Sequence, residues 1–213
     1  MPSHAANRDA RRQRILEAAR KLTAELGIEN IRMEDIARQA NCTRRTLYAY
    51  FQSWDDLFLR VFVEDMNDRW HHQQVAMAEA GTGLAKLRRW GESYFTYAQR
   101  HPQSLRVQFF WDFRGIHSER TSPEAQAALD DAVAPVVGGM REVFIAGQRD
   151  GSIRHELDPD TILGQYAYTL RAIMNRALFP AYSFAEFRPD PFVQSYLDIF
   201  LNGIAAQTDK DPS

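Results

Sequence analysis

Cysteine and long apolar runs are both nearly absent from this sequence. Its 213 residues contain one cysteine, Cys42, so no disulfide can form within the chain and a disulfide-stabilised secreted scaffold is excluded. No stretch of about 18 residues is apolar enough to form a membrane-spanning helix. Residues 7–11 also lack the apolar core of a signal peptide. We therefore expect a protein of the reducing cytoplasm without a membrane segment.

The sequence patterns of common catalytic, metal-binding and phosphate-binding sites are missing too. There is no His-Glu-x-x-His pair, no glycine-rich phosphate loop and no nucleophile elbow. Glu64, Asp68 and His72 share one helical face, but without cysteine ligands or a second cluster this pattern is typical of a solvated acidic face. We therefore predict no catalytic residues, no metal and no cofactor.

The charge of the chain is small overall but unevenly distributed. The formal net charge is −2, whereas residues 1–51 hold ten arginines and lysines against six acids. The remainder carries 16 basic against 22 acidic residues. Positive charge is therefore concentrated at the N-terminal end, where contact with nucleic acid is favoured.

The apolar periodicity predicts an all-α fold of about nine helices, with no alternating strand pattern. Residues 1–8 are expected to form a loose arm, followed by a helix over residues 9–26 that Gly27 ends. Two short helices then occupy residues 33–51. The remaining predicted helices span about residues 53–80, 84–100, 103–113, 123–149, 158–178 and 189–206.

The most informative segment is the pair of short helices in residues 33–51. Thr43 stands where an N-cap belongs, with Thr46 three residues later. Leu47 and Phe51, at i and i+4, anchor one face of the second helix. The residues predicted to be buried on the first helix and in the turn are Ile36, Ala37, Ala40 and Cys42.

The other face of the second helix is suited to a DNA major groove. Arg44 and Arg45 lie at its N-terminus, where a guanidinium can bind O6 and N7 of guanine. Thr43, Tyr48 and Tyr50 are expected to contact phosphates, which fix the register but carry no sequence information. Thr46 is suited to either role. An ordinary helical hairpin with solvated arginines is the alternative interpretation.

The residues from about Arg11 to Leu57 resemble the DNA-binding domain of the TetR family of transcriptional regulators. The resemblance implies three DNA-binding helices, a fourth connecting helix, and further helices that bind a small ligand and dimerise. It places a DNA-binding domain at residues 9–52 and an effector-binding and dimerisation domain at residues 53–207. The anchors that carry it are Arg14 to Ala19, Leu22, Gly27, Ile36, Ala37, Ala40 and Thr46 to Phe51.

Three positions depart from the pattern of that family. Trp54 stands where a phosphate-binding lysine is common, and its indole can offer only a neutral hydrogen bond. Arg32 replaces the usual threonine cap, and we expect its charge to substitute for the missing lysine near the DNA backbone. Arg45 occupies a position that is often glycine or alanine, so it is a candidate determinant of operator sequence.

The resemblance also implies a cavity for a small-molecule effector in the second domain. Aromatic side chains are dense in residues 90–117, and Tyr166 follows later; such walls favour an apolar or aromatic ligand. Packing of these side chains into an ordinary core is the alternative. Arg171 interrupts an apolar stretch, so it needs a partner, which is an acidic ligand, Glu142 or a residue across a dimer. The candidate ligand-binding residues are Trp90, Tyr94, Phe109, Phe110, Trp111, Tyr166 and Arg171.

The sequence and the resemblance together predict a homodimeric, ligand-responsive regulator. We expect a repressor of double-stranded DNA that a small molecule releases from a palindromic operator. The last two helices are expected to form the dimer interface, although their broad apolar stripes do not separate a core face from a partner face. The alternatives are a helical adaptor that binds only protein and, less favoured, an all-α enzyme.

Overall fold

The computed structural model describes residues 4–116, 118–179 and 188–206, and it is all-α over these ranges, as predicted. Nine α-helices lie in this part of the chain, with 3₁₀ turns at Ile28–Asn30 and Ser118–Arg120 and an isolated bridge between Ile153 and Ala205. The helices are α1 (His4–Leu26), α2 (Met33–Gln39), α3 (Arg44–Tyr48), α4 (Trp54–Ala78), α5 (Gly83–Arg100), α6 (Pro102–Arg114), α7 (Pro123–Arg149), α8 (Pro159–Leu178) and α9 (Pro189–Ile204).

The boundaries of α1 and α9 differ from the prediction, and α4 also ends slightly early, at Ala78. Helix α1 begins at His4 rather than at residue 9, because the alanines and arginines of this segment favour a helix and nothing there stops it. The arm predicted for residues 1–8 is therefore wrong from His4 onward. Helix α9 ends at Ile204, because Ala205 adopts an extended conformation and pairs with Ile153. Residue 207, the predicted end of the second domain, lies outside the described residues.

Polar side chains begin several helices by capping their first turns. The Ser53 hydroxyl accepts a hydrogen bond from the Asp56 backbone N–H at 2.9 Å, which places the start of α4 at Trp54. The Asp158 carboxylate accepts from the Thr161 N–H at 2.8 Å at the start of α8. At the C-terminal end of α1, Gly27 has φ 78°, a left-handed conformation that glycine adopts at low cost.

The described chain forms two compact units. The first, unit 1, comprises residues up to 67 and residues 101–133, while unit 2 comprises residues 68–100 and those from 134 onward. In unit 1, α1 packs against α2 and α6, and α2 packs against α3. In unit 2, α5, α8 and α9 pack against one another. The predicted functional boundary between residues 52 and 53 stays a prediction, because compact units and functional domains need not coincide.

The core of each unit is built from the apolar stripes of these helices. In unit 1, the largest fully buried side chains include Ile15, Leu16, Ile36, Leu47 and Phe58. Those of unit 2 include Tyr94, Phe144 and Tyr166. None of the helices in the described ranges combines the length and the apolar character needed to cross a bilayer.

Candidate functional site

The second and third helices form a tight helix-turn-helix. Asn41 lies in the turn with φ 51°, a left-handed conformation that asparagine tolerates better than most residues. The Cys42 N–H donates to the carbonyl of Ala37 at 2.9 Å and closes the turn. Leu47 and Phe51 are buried, as predicted, so one face of α3 is fixed to its own domain. The opposite face is left for another molecule.

Thr43 is the N-cap of α3, which confirms the prediction of its position. Its hydroxyl accepts a hydrogen bond from the Thr46 backbone N–H at 3.1 Å, and the two hydroxyl oxygens lie 2.9 Å apart. The cap satisfies one of the otherwise unpaired N–H groups in the first turn. It therefore gives this helix of five residues, Arg44–Tyr48, a defined beginning and direction.

The two arginines at the start of α3 differ in their surroundings. Both are exposed, but Arg44 forms an ion pair with Glu34 of α2, with its Nη1 2.9 Å from the carboxylate. The Arg44 guanidinium also lies 6.0 Å from the ring centre of Tyr48, which is itself exposed. No salt bridge involves Arg45 within the described ranges, so its guanidinium is available for a ligand.

A concave surface of about 790 Å³ adjoins the C-terminal end of α3. Tyr48 and Tyr50 line it together with Arg8, Arg12 and Arg60. Arg8 lies over the Tyr50 ring at 5.9 Å. Burial, followed by the nearby charge of Arg12, lowers the pKa of Arg60. Asp9, Asp56 and Glu124 line the same surface, so its charge is mixed, and the arginines that could meet a DNA phosphate lie beside acidic side chains.

Trp54 is not available for a phosphate. Its indole N–H donates to the Ile31 carbonyl at 3.0 Å, and its ring packs against Phe58 at 4.2 Å. The indole therefore holds the start of α4 to the chain just before α2. Arg32 is exposed and is the N-cap residue of α2 without a side-chain hydrogen bond; instead, its backbone N–H donates to Asp35 at 3.1 Å. Its guanidinium remains at the surface near this helix start.

Cys42 is half-buried rather than fully buried in the turn. Burial raises the pKa of its thiol, although the charges of Arg11 and Arg14 partly oppose this effect. A thiol with a raised pKa is a weak nucleophile, so a packing role fits better than a redox role.

The predicted ligand-binding aromatics fall into different units. Trp90, Tyr94 and Tyr166 are buried in unit 2, where the Trp90 ring lies 5.8 Å from Tyr94 and 5.4 Å from Tyr166. The Tyr166 hydroxyl donates to the Leu87 carbonyl at 2.9 Å, and the ring stacks on Phe200 at 4.9 Å. These contacts form an aromatic cluster among α5, α8 and α9.

The remaining predicted aromatics lie on α6 in unit 1. Trp111 is buried, whereas Phe109 and Phe110 are half-buried. Phe110 packs against Trp111 at 5.3 Å and against Trp54 at 5.1 Å. Within unit 1 these contacts hold α6 to the start of α4.

Arg171 is half-buried on α8 and does not lie in an apolar interior. Its guanidinium stacks over the ring of Tyr168 at 4.5 Å, and that ring is 69% exposed. One partner of Arg171 that the sequence interpretation did not include is therefore a neighbouring aromatic face. Cation–π stacking at a surface leaves the charge in contact with solvent.

Comparison with known proteins finds TetR family regulators. The family described as bacterial regulatory proteins, tetR family, matches residues 15–61. The transcriptional repressor NicS of Pseudomonas putida is 28% identical over 153 residues, covering 70% of this chain and 68% of that protein. The regulator SAB2452 of Staphylococcus aureus is 45% identical over 56 residues, covering 26% of this chain and 30% of that protein. Residues 15–61 therefore form a segment similar to the DNA-binding domain of TetR family transcriptional regulators.

The fold of this chain is similar to that of a solved regulator well beyond the helix-turn-helix. FadR from Bacillus subtilis, solved in complex with stearoyl-CoA, matches with a TM-score of 0.72 at 19% identity. The match covers 90% of this chain and 98% of FadR. TetR family proteins bind DNA and small-molecule ligands and act as dimers, and neither the family nor these relatives are enzymes. The predicted resemblance to the TetR family is confirmed over residues 15–61.

The sequence interpretation missed two buried residues on α4, Arg69 and Gln73. Both are buried, and both carry a side-chain nitrogen without a hydrogen-bond partner in the described ranges. They follow Met66 and precede Met77 at spacings of three and four residues, so they occupy core positions of an apolar stripe. The sequence signal that could have identified them is a charged and an amide side chain at positions where the stripe is otherwise apolar.

Proposed function

We propose that this protein is a homodimeric repressor whose α3 reads a pseudo-palindromic operator and which a small molecule releases from DNA. The observation that carries the proposal is the exposed face of α3. Arg44, Arg45 and Tyr48 are exposed on a capped helix whose opposite face is buried through Leu47. A short helix fixed in this way presents its side chains at defined positions to base edges.

The residues of the interface are assigned distinct roles. Arg45 binds base edges, because it is exposed and has no ion-pair partner in the described ranges. Arg44 also binds base edges, once its ion pair with Glu34 has been replaced by a contact with DNA. Thr43, Tyr48 and Tyr50 contact phosphates. Thr46 contacts either a phosphate or a base edge. Arg32 supplies the positive charge that Trp54 does not.

The dimer forms through α8 and α9, which pack against each other within the chain. Each helix also presents a large apolar side chain to the surface: Tyr168 on α8 is 69% exposed and Ile199 on α9 is 73% exposed. Exposed apolar side chains on adjacent helices support a partner face, and a two-fold axis then pairs like with like. Two copies of α3 related by this axis read two half-sites.

The effector binds in unit 2 beside the aromatic cluster of Trp90, Tyr94 and Tyr166. FadR from Bacillus subtilis was solved with stearoyl-CoA bound, which supports ligand binding in proteins of this fold. Binding of the effector and binding of DNA weaken each other equally, because linkage between two sites is reciprocal.

The test is selection of bound duplexes from a random DNA library. The wild-type protein is compared with Arg45→Ala and with Arg89→Ala, a matched control whose exposed guanidinium pairs with Glu92 on α5. We expect a palindromic motif from the wild type and from the control. Arg45→Ala is expected to change the same base in both half-sites and to weaken binding by about 1–3 kcal/mol.

The alternative functions predict different results. A protein-binding adaptor enriches no duplex at low salt, even when a folded dimer is confirmed by light scattering. A motif that Arg45→Ala leaves unchanged in both sequence and affinity contradicts the role of Arg45 but not DNA binding. A motif without two-fold symmetry contradicts the proposed operator.

A further inference from the structure

Three hydrogen-bond donors are buried without acceptors along α4 and α5 of unit 2. Arg69 is 7% exposed, Gln73 is 2% exposed and Trp90 is 5% exposed. In the described part of the chain, Arg69 Nη1, Gln73 Nε2 and Trp90 Nε1 have no hydrogen-bond partner. All three are N–H groups, and the acid one turn before Arg69 on α4, Asp65, pairs with Arg20 at 2.8 Å. Buried donors of this kind are destabilising unless an acceptor arrives.

The three donors belong to one place in the fold. Arg69 and Gln73 are one turn apart on α4, and Trp90 and Tyr94 are one turn apart on α5. The Arg69 guanidinium lies over the Tyr94 ring, 4.9 Å from its centre, which joins the two pairs. The Trp90 and Tyr94 rings lie 5.8 Å apart. Each donor is therefore within one helical turn of the Arg69–Tyr94 contact.

We propose that Arg69, Gln73 and Trp90 bind the carboxylate of an anionic effector whose apolar or aromatic body packs against Tyr94. This inference rests on the proposed function, because it names the chemical class of the effector. A carboxylate has two oxygens with acceptor sites for several donors, and its single negative charge matches one guanidinium. A phosphate dianion would leave one of its two charges without a cationic partner beside a single guanidinium. Stacking on Tyr94 holds the guanidinium plane in place while its edge faces the ligand.

The first experiment measures the stability of the ligand-free regulator. An arginine that waits for a ligand is a buried group without its full set of partners, so Arg69→Met is expected to raise the melting temperature or leave it unchanged. An arginine that is satisfied within the fold gives the opposite result, because methionine then removes hydrogen bonds. Arg89→Met, at an exposed surface arginine, is the control. A melting temperature of Arg69→Met clearly below that of Arg89→Met overturns the proposal.

The second experiment compares acids with alcohols of the same shape. Octanoate, benzoate and 2-naphthoate are titrated into the full-length protein by calorimetry, each against its matching alcohol. We expect at least one acid to bind about tenfold or more tightly than its alcohol, because hydrogen bonds to charged groups are stronger than neutral ones. Arg69→Met is expected to remove the preference, and Gln73→Leu and Trp90→Phe are expected to reduce it.

Several outcomes contradict the carboxylate site. Equal binding of acids and alcohols, no binding of any acid, or an acid preference that persists in Arg69→Met each overturns the proposal. Binding of wild-type and Arg69→Met protein to the selected duplexes is measured in parallel. If both still bind DNA, failure of the acid series contradicts the proposed effector class and leaves the DNA-binding function intact. Loss of duplex selection with an intact acid preference instead contradicts the proposed DNA-binding function and supports the carboxylate site.

Discussion

Replacement of Arg20 by methionine tests the ion-pair cluster that joins α1 to α4 in unit 1. The Arg20 guanidinium contacts Glu64 and Asp65, each at 2.8 Å. Burial alone lowers the pKa of Arg20, but the charge of Asp65 and the hydrogen bonds to both carboxylates raise it overall. The cation is therefore strongly favoured at this position. The same contacts occupy Glu64, a residue that the sequence placed on a solvated acidic face.

The magnitude follows from the burial of the partners. Asp65 is 5% exposed, and removing one member of a buried ion pair costs about 3–5 kcal/mol. The side chains of Arg20 and Glu64 are 18% and 28% exposed, so water replaces part of the lost interaction. We therefore expect Arg20→Met to lower the free energy of unfolding by about 2–4 kcal/mol. For a chain of this length that corresponds to a fall in melting temperature of roughly 5–15 °C.

The assay is urea unfolding followed by circular dichroism, with Lys21→Met as the matched control. Lys21 neighbours Arg20 on α1 but is 57% exposed, and its pair with Glu25 spans 4.0 Å. An exposed pair of this kind contributes about 0.5 kcal/mol or less. The cost of Asp65→Asn in the Arg20→Met background is expected to be smaller than in the wild type, because the two residues share one interaction. Equal stability of Arg20→Met and Lys21→Met refutes this reasoning.

Three further predictions concern α3, the start of α4 and the aromatic cluster. Thr43→Ala removes the cap of α3 and is expected to cost about 1 kcal/mol in urea unfolding, whereas Thr43→Ser retains most of the stability. Trp54→Phe leaves the Ile31 carbonyl without its donor and is expected to cost about 1–3 kcal/mol by the same assay, without changing the salt dependence of DNA binding. Burial raises the pKa of Tyr166, and it raises the pKa of Tyr196 to about 12. The folded state therefore retains protons that the unfolded state loses from about pH 10 upward. The free energy of unfolding should fall between about pH 10 and 12, which thermal melts can follow. A constant melting temperature across that interval contradicts this prediction.

The sequence was sufficient for features that depend on local chemistry. The helix-turn-helix follows from a cap at Thr43, an apolar stripe and two anchors at i and i+4, all within a few residues of one another. The boundaries of α7 and α8 follow from Pro123 and Asp158 at their starts, and the positions of Leu47 and Phe51 follow from helical periodicity. Each of these depends on contacts within one or two turns of helix.

Features that depend on packing between distant segments were not predictable in the same way. Periodicity indicates that Trp90 and Trp111 are buried, but it does not indicate that they belong to different units. The sequence alone leaves the Trp54 indole N–H as a candidate donor to a phosphate, because nothing in it shows that the Ile31 carbonyl lies 3.0 Å away. Arg69 is not predictable as a functional residue, because a single charge in an apolar stripe is a weak sequence signal and only the burial of its side chain shows its importance.

The surroundings of Arg44 and Arg45 allow their contributions to operator specificity to be separated. The Arg44–Glu34 pair joins side chains that are 61% and 47% exposed, so it contributes at most about 1 kcal/mol. That energy is too small to keep Arg44 from a guanine, but it subtracts from the gain of any base contact that Arg44 makes. Arg45 carries no such cost, so Arg45→Ala should reduce operator affinity more than Arg44→Ala in gel-shift titrations. Glu34→Gln should then strengthen binding in the wild type but not in Arg44→Ala, and equal effects in both backgrounds would show that Glu34 acts on DNA directly.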